Sequence, residues 1–395
     1  KIRFERCEEE FIFEEDIYTQ RGMFNAIRNR IRYLNAISDF IIDVYVIGRY
    51  EPWYIRKLRH TKKVDKIKTI RFDGINYNTL WYNFTLTDYF FEVKLQKMPI
   101  FTSLFYCRLL NKFKGYDMIS AHSINCGLLA SRISARDNIP FCVTWHGSDI
   151  HTTPFISKSR YNAIYNILNT ASYNFFVSEQ LQCLGLMIAP KAQSAVLYNG
   201  KNECFTKYPE KKRKDLRKRF DIPQGAKVIA FVGNLIEVKN PHLLAPIFLS
   251  VRNKYKSPVL FWIIGSGKLS NQVETSCQKL GLQCKMWGGC PAEEMPDFYN
   301  CIDVLVLPSR NEGLPLVTVE ALACGANVVG SDVGGIKEAI GIDNVFSLGE
   351  TFVEEISERI VQMLTNKIEQ PLFDKFDWRK TAMVELNIYN ELLVK

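Results

Sequence analysis

The chain has 395 residues, too many for one ordinary hydrophobic core, so two domains are expected. With 47% hydrophobic, 13% aromatic and 24% charged residues it is globular, which excludes a disordered or low-complexity chain. The net charge of +9 is uneven: residues 1–200 hold 26 Lys and Arg against 18 Asp and Glu, whereas 201–395 hold 25 against 24, so the basic field belongs to the first half.

No N-terminal stretch has a signal peptide's basic-then-apolar pattern, and no apolar run approaches the roughly 18 residues that span a bilayer. The 11 cysteines, Cys7, Cys107, Cys126, Cys142, Cys183, Cys204, Cys277, Cys284, Cys290, Cys301 and Cys324, never form a CxxC pair, which weakens zinc or thioredoxin-like readings. Their odd number, and positions inside apolar runs such as "PFCVTWH" and "ALACG", fit reduced, buried thiols. The expectation is a cytoplasmic protein, at most peripheral on the inner face of the membrane.

In chain order, "DVYVIG" (43–48), "YDMISAH" (116–122), "PFCVTWHG" (140–147) and "YNFFVS" (173–178) read as strands of a first α/β layer. Between them, "IRKLRHTKKVDKIKTIR" (55–71) carries eight Lys and Arg against one Asp. It is a solvated charged face, or a surface for an anionic membrane or a lipid-diphosphate acceptor. No nucleic-acid module accompanies the charge, so no nucleic-acid partner is expected. "VLYNGKNECF" (196–205) and the charged run "KYPEKKRKDLRKR" (207–219) look like an interdomain junction, which places the first domain at 1–203.

From about residue 225, "KVIAFVG" (227–233), "VLFWIIGSG" (259–267), "CKMWGG" (284–289), "DVLVLPS" (303–309) and "ANVVGS" (326–331) alternate with helical segments. Near-continuous apolar runs of this kind are parallel strands buried on both faces. The alternation predicts an open parallel sheet over 204–373, binding its ligand at the carboxyl ends of the strands, where Gly233, Gly265 and Gly289 fall. The last stretch, 374–395, reads as an amphipathic helix.

"SRNEGLPLVTVEALACG" (309–325) follows a strand end. Pro315 suits a first helical turn and Gly325 the residue past the end, giving a helix at roughly 315–324. Leu316, Val317, Val319, Ala321, Leu322 and Ala323 leave it no polar face, so it should be buried. Its N-terminus is a natural anion seat, with Glu312 ahead of it and Glu320 about 7 Å further along the axis. Alone, Glu320 could be a solvated helix glutamate and Glu312 a capping loop acid. An unpaired buried carboxylate is costly, however, and two acceptors flanking an anion seat suit a ligand with hydroxyls on both sides of a phosphate. A nucleotide sugar is such a ligand.

The E-x7-E spacing with "EGLP" after a "PS" strand end resembles the signature of retaining glycosyltransferases of family GT4, the glycosyl transferases group 1, of GT-B fold. In the same order, "HGSD" (146–149) resembles that family's N-domain histidine motif and "LYNGKNECF" its linker motif. "VGNLIEVKNP" resembles its phosphate loop, and "SDVGGIKEAI" its GG-x-x-E turn. The resemblance is strong from about residue 140 onward and weak before it.

It implies an α/β protein of two Rossmann-like domains facing across a cleft, the first binding acceptor, the second (204–373) a nucleotide sugar, with the helix of 374–395 crossing back to the first. By the same resemblance Glu312 would hold donor-sugar hydroxyls and Glu320 the ribose, while backbone N–H groups from Pro315 to Val317, with Leu316 between, meet the diphosphate. Lys239 would neutralise the departing phosphate and His146 would lie near sugar and acceptor. Gly233, Asn234, Gly265, Gly289, Gly313 and Leu314 complete the donor-binding set. Asn234 departs from the family's pattern, which has arginine there; an amide supplies no charge, so stabilisation of the leaving group leans on Lys239, the helix dipole or another cation such as Arg310.

No metal and no cofactor are expected, the nucleotide sugar being a co-substrate; the nearest acidic group, Glu14, Glu15 and Asp16, has no evident metal role. His60, His122, His151 and His242 read as structural, although His122 follows a strand and is placed to line the cleft. The expected activity is transfer of a hexosyl unit, from a UDP-sugar by family frequency, in bacterial surface polysaccharide or glycolipid synthesis. The base should lie near Trp287 to Pro291. Two alternatives stay open: a UDP-sugar 2-epimerase on the same fold, and a non-catalytic sugar- or lipid-binding protein, which Asn234 keeps in play.

Overall fold

The computed structural model describes residues 2–7, 22–59, 63, 65–97 and 110–394. His60 and the Glu14, Glu15 and Asp16 group lie outside the described residues. The chain forms two compact units, Lys1–Tyr198 with Trp378–Lys395, and Asn199–Asp377. These boundaries fall a few residues from the expected 203 and 373.

In the first unit the strands are β1 (Ile2–Cys7), β2 (Ile42–Tyr50), β3 (Thr69–Phe72), β4 (Ile75–Asn83), β5 (Met118–His122), β6 (Phe141–Trp145), β7 (Tyr173–Phe176) and β8 (Ser194–Val196). They form one sheet in the order β3-β4-β2-β1-β5-β6-β7-β8. All pairings are parallel except β3 with β4. That hairpin turns at Asp73-Gly74, with φ of 50° and 80°. Asp-Gly is a strong two-residue turn signal. The helices are α1 (Gly22–Ile37), α2 (Trp53–Arg59), α3 (Leu86–Tyr89), α4 (Ser123–Asp137), α5 (Ser148–His151), α6 (Lys158–Thr170) and α7 (Glu179–Ile188).

The second unit has β9 (Lys227–Val232), β10 (Val259–Ile264), β11 (Cys284–Gly288), β12 (Val304–Leu307), β13 (Asn327–Ser331) and β14 (Val345–Phe346). Its helices are α8 (Glu210–Arg219), α9 (Leu244–Lys254), α10 (Ser270–Lys279), α11 (Met295–Cys301), α12 (Leu316–Ala323), α13 (Ile336–Ile340) and α14 (Phe352–Asn366). The strand order is β11-β10-β9-β12-β13-β14, all parallel. Connections reverse direction between β9 and β12, the switch point at which doubly wound sheets bind ligands. Strand residues Phe231, Phe261, Ile263 and Val306 are buried against Ile247, Phe248 and Val251 of α9 and Ile356 and Ile360 of α14. Phe248 stacks on Phe261 at 4.6 Å.

The final helix, α15 (Trp378–Val394), returns to the first unit and packs on α1. A buried ionic network joins them. Arg30 of α1 donates to both Glu385 oxygens, at 3.1 and 2.7 Å, and to Thr144 Oγ1 of β6 at 2.8 Å. The Tyr389 hydroxyl donates to Glu385 and is hydrogen-bonded to Ser120 Oγ of β5 at 2.8 Å. Arg30, Thr144, Ser120, Glu385 and Tyr389 are all buried. Burial and the Glu385 charge hold the Tyr389 phenol well above its usual range, so it stays a donor.

Candidate active site

The second unit brings the expected donor residues to the carboxyl ends of its strands. α12 is shorter than expected at both ends: Pro315 is its N-cap, with no side-chain cap bond, and Cys324 its C-cap. Gly325 follows with φ 84°, its N–H donating to Leu322 O and that of Ala326 to Ala321 O, a Schellman closure. Thr318 is buried and spends its hydroxyl on Pro315 O at 2.6 Å. The backbone amides at the start of α12 therefore have no side-chain cap and point out of the helix end.

Two sequence expectations need correction here. α12 is not buried all round: Leu316, Val317, Glu320 and Ala323, at helical spacing, form a half-buried stripe opposite buried Val319 and Leu322. Nor is Glu320 an unpaired carboxylate, because the Tyr299 hydroxyl of α11 donates to its Oε2 at 3.0 Å. Tyr299 in turn packs edge-on against Phe205, 5.8 Å away, in the linker stretch.

Burial raises the Glu320 carboxyl to about 7, against the Tyr299 bond that lowers it. The folded carboxyl keeps its proton to about pH 7, and an unfolded one releases it near 4.5. Between those values the folded chain binds more protons. The Glu320 contribution to stability is therefore full below about pH 4.5 and lost as pH rises through 7, on the order of 1–3 kcal/mol. Glu320→Gln should flatten that slope in urea melts run from pH 5 to 8; an unchanged slope would place the titration elsewhere.

Glu312 is buried in the loop after β12. Its Oε1 accepts from Lys239 Nζ at 2.5 Å and from Ser309 Oγ at 2.7 Å. Oε2 accepts no hydrogen bond among the described residues. Lys239 ends the 3-10 turn Glu237–Lys239 beyond β9, so the pair links the two strands of the switch point. Arg310 N donates to Val238 O at 2.8 Å, and its guanidinium reaches Asn240 Oδ1 at 3.2 Å and His242 at 3.5 Å. Arg310 thus fastens the Lys239 loop to the Glu312 loop.

Two glycines are needed for this closeness. A Cβ on Gly334, φ 55°, would overlap the Glu312 carbonyl, and the adjacent Gly335 N–H donates to Gly313 O at 2.6 Å. Likewise a Cβ on Gly265, φ 128°, would overlap the Gly233 carbonyl, while Gly265 N–H donates to Gly288 O at 2.6 Å. Gly334→Ala should cost roughly 1–3 kcal/mol through its backbone conformation alone and displace Glu312. A variant that melts like the parent and binds ligand equally would contradict this clamp.

Asn234 and Gly289 are exposed just past the ends of β9 and β11, and Leu314 is buried. Trp287 sits in an aromatic cluster with Trp262 at 5.2 Å, Phe220 at 5.4 Å and Phe298 at 5.0 Å, beneath the Lys285 ammonium at 3.9 Å. Among the described residues no group of three or more His, Cys, Asp or Glu is placed to hold a metal ion.

His146 belongs to the first unit, just past β6, and its N–H donates to Asp149 Oδ2 at 3.2 Å. His122, expected to be structural, closes the neighbouring β5 with Nδ1 3.0 Å from His146 Nε2, the rings stacked at 5.2 Å. A histidine at the end of β5 and one just past β6 are the local signal for this pair.

Residues 212–376 match the family model described as glycosyl transferases group 1. A putative teichuronic acid biosynthesis glycosyltransferase, TuaC of Bacillus subtilis, is 28% identical over 256 residues, 65% of this chain and 63% of that protein, so the chain spans just under two thirds of its length. Among solved structures, sucrose-phosphate synthase from Thermosynechococcus elongatus superposes with a TM-score of 0.74 at 16% identity over the whole of both chains. HepE of Anabaena, solved in complex with UDP, gives 0.67 at 16% identity over 99% and 98%. The fold is thereby the GT-B fold, and its residues 212–376 are similar to the glycosyl transferases group 1.

Proposed function

We propose that the chain transfers a hexosyl unit from a nucleotide sugar, a UDP-sugar, to an acceptor hydroxyl with retention of configuration, as a metal-independent enzyme of the GT4 type. The observation that supports this most is the Lys239–Glu312 pair at the switch point, beside the uncapped start of α12. In this reading the diphosphate takes the amides of Leu316 and Val317 and the Lys239 ammonium, which Glu312 holds in place. The Glu312 carboxylate, Oε2 already open, accepts from the sugar hydroxyls, and Glu320 accepts from the ribose once ionised. Gly233, Asn234, Gly265 and Gly289 line the strand ends, and Gly313, Leu314 and Pro315 shape the loop.

Retention follows from front-face attack. The acceptor oxygen bonds to the anomeric carbon on the face that the diphosphate leaves, and the departing phosphate oxygen takes the acceptor proton. Lys239 and the α12 dipole offset the negative charge that develops, which Asn234 does not. His146 would serve the acceptor side from the first unit. The B. subtilis relative's name favours a bacterial surface polysaccharide as the product, and a saccharide or lipid-linked acceptor would be met on the cytoplasmic side of a membrane.

Incubation with UDP-glucose, with and without candidate acceptors, and proton NMR of the products tests this. Transferred or hydrolysed hexose with the donor's anomeric configuration is expected. Inverted product would overturn retention, and sugar epimerised at C2 without acceptor would establish the isomerase reading instead.

A further inference from the structure

The carboxyl ends of β2 and β4 carry a surface that donor chemistry does not use. α2 turns Ile55 into the core and sets Trp53, Tyr54 and Leu58 outward, Trp53 being 69% and Leu58 53% exposed. Beyond α3 a π-helical turn, Phe90–Lys94, presents Phe90, 52% exposed. The two segments are one patch. Arg59 of α2 pairs with Glu51 at 2.9 Å and reaches Glu92 of that turn at 3.9 Å, while Arg49 pairs with Glu92 at 3.1 Å. Both guanidiniums lie over the Phe84 ring, at 4.7 and 5.5 Å.

The acids of this region already have cationic or capping partners. Beyond Glu51 and Glu92, Asp88 is buried in a capping box with Thr85, Asp65 meets Lys63 at 3.6 Å, and Asp73 meets Arg28 at 2.6 Å. Lys57, Lys66, Lys68 and Lys94 stand exposed around the apolar face, with Lys66 held over the Tyr50 ring at 4.0 Å. Exposed tryptophan and tyrosine ringed by lysines is the composition that settles at the boundary between water and anionic lipid. The second basic run, α8, supplies the contrast: none of its described residues is an exposed large hydrophobic, so it is a solvated face.

We propose that the α2 face, with the Phe90 turn beside it, docks the first unit onto an anionic bilayer. The link to a lipid-borne acceptor rests on the transferase reading; the docking itself does not. Cosedimentation of the full chain with vesicles of phosphatidylcholine, alone or mixed with phosphatidylglycerol, tests it, with UDP binding measured in parallel. Binding should require phosphatidylglycerol, weaken as salt rises, and fall roughly tenfold in Trp53→Ala/Leu58→Ala and in Lys57→Glu. Brominated lipid should quench fluorescence of the parent more than that of the Trp53→Ala/Leu58→Ala variant, and UDP binding should be unchanged in both variants. Equal binding to neutral vesicles, binding indifferent to these substitutions, or a lipid-free dimer that the double variant dissolves would overturn the proposal. Loss of UDP binding in the parent chain would instead count against the transferase reading alone.

Discussion

Replacing Glu385 with alanine should lower the free energy of unfolding by about 3–5 kcal/mol, because it strands the Arg30 guanidinium inside the first unit. Arg30 is 1% exposed, and among the described residues two of its three hydrogen bonds go to Glu385. Thr144 remains, but one neutral hydroxyl cannot replace a carboxylate in compensating a desolvated cation. The Tyr389 hydroxyl also loses a partner, keeping only Ser120. Removing both charges, in Arg30→Met with Glu385→Leu, should recover most of the loss, since a buried ion pair is often replaceable by apolar groups of similar volume. Urea unfolding of parent, single and double variants measures this. A single variant within 1 kcal/mol of the parent would show that α15 is held by its apolar contacts instead.

Lys239→Ala should lower kcat by about 10²–10³-fold if the diphosphate leaves against this ammonium, the usual loss on removing one group that stabilises developing charge. The effect should be at the upper end, because Asn234 offers no second charge at the loop where an arginine was expected. KM for the donor should rise less than kcat falls, since the interaction strengthens as the phosphate charge develops. Lys239→Arg should recover part of the rate, a guanidinium restoring charge with altered reach. Steady-state kinetics with the best donor, including its hydrolysis in the absence of acceptor, reads the split. A rise in KM with unchanged kcat would make Lys239 a binding residue only.

The parallel strands of the second unit were legible because both their faces are buried, so apolar runs and glycine ends mark them without ambiguity. Glu312, Lys239 and the start of α12 were legible for a related reason: a strand end fixes where a loop acid or lysine can point. What stayed hidden depends on long-range pairing. Arg30 and Glu385 lie 355 residues apart, and no local pattern announces that they meet. Tyr299 lies 21 residues from Glu320, and no local pattern marks its hydroxyl as that carboxylate's partner. The His122–His146 contact arises from the adjacency of β5 and β6, which sequence order alone does not guarantee.

Isothermal titration of UDP into the full chain and its Lys239→Ala variant asks whether a nucleoside diphosphate sits between Lys239 and the N-terminus of α12. Saturable one-to-one binding to the parent is expected, weakened at least tenfold in Lys239→Ala with the fold intact. Equal affinity in the two proteins, or no binding of UDP, GDP or ADP to the parent, would contradict it.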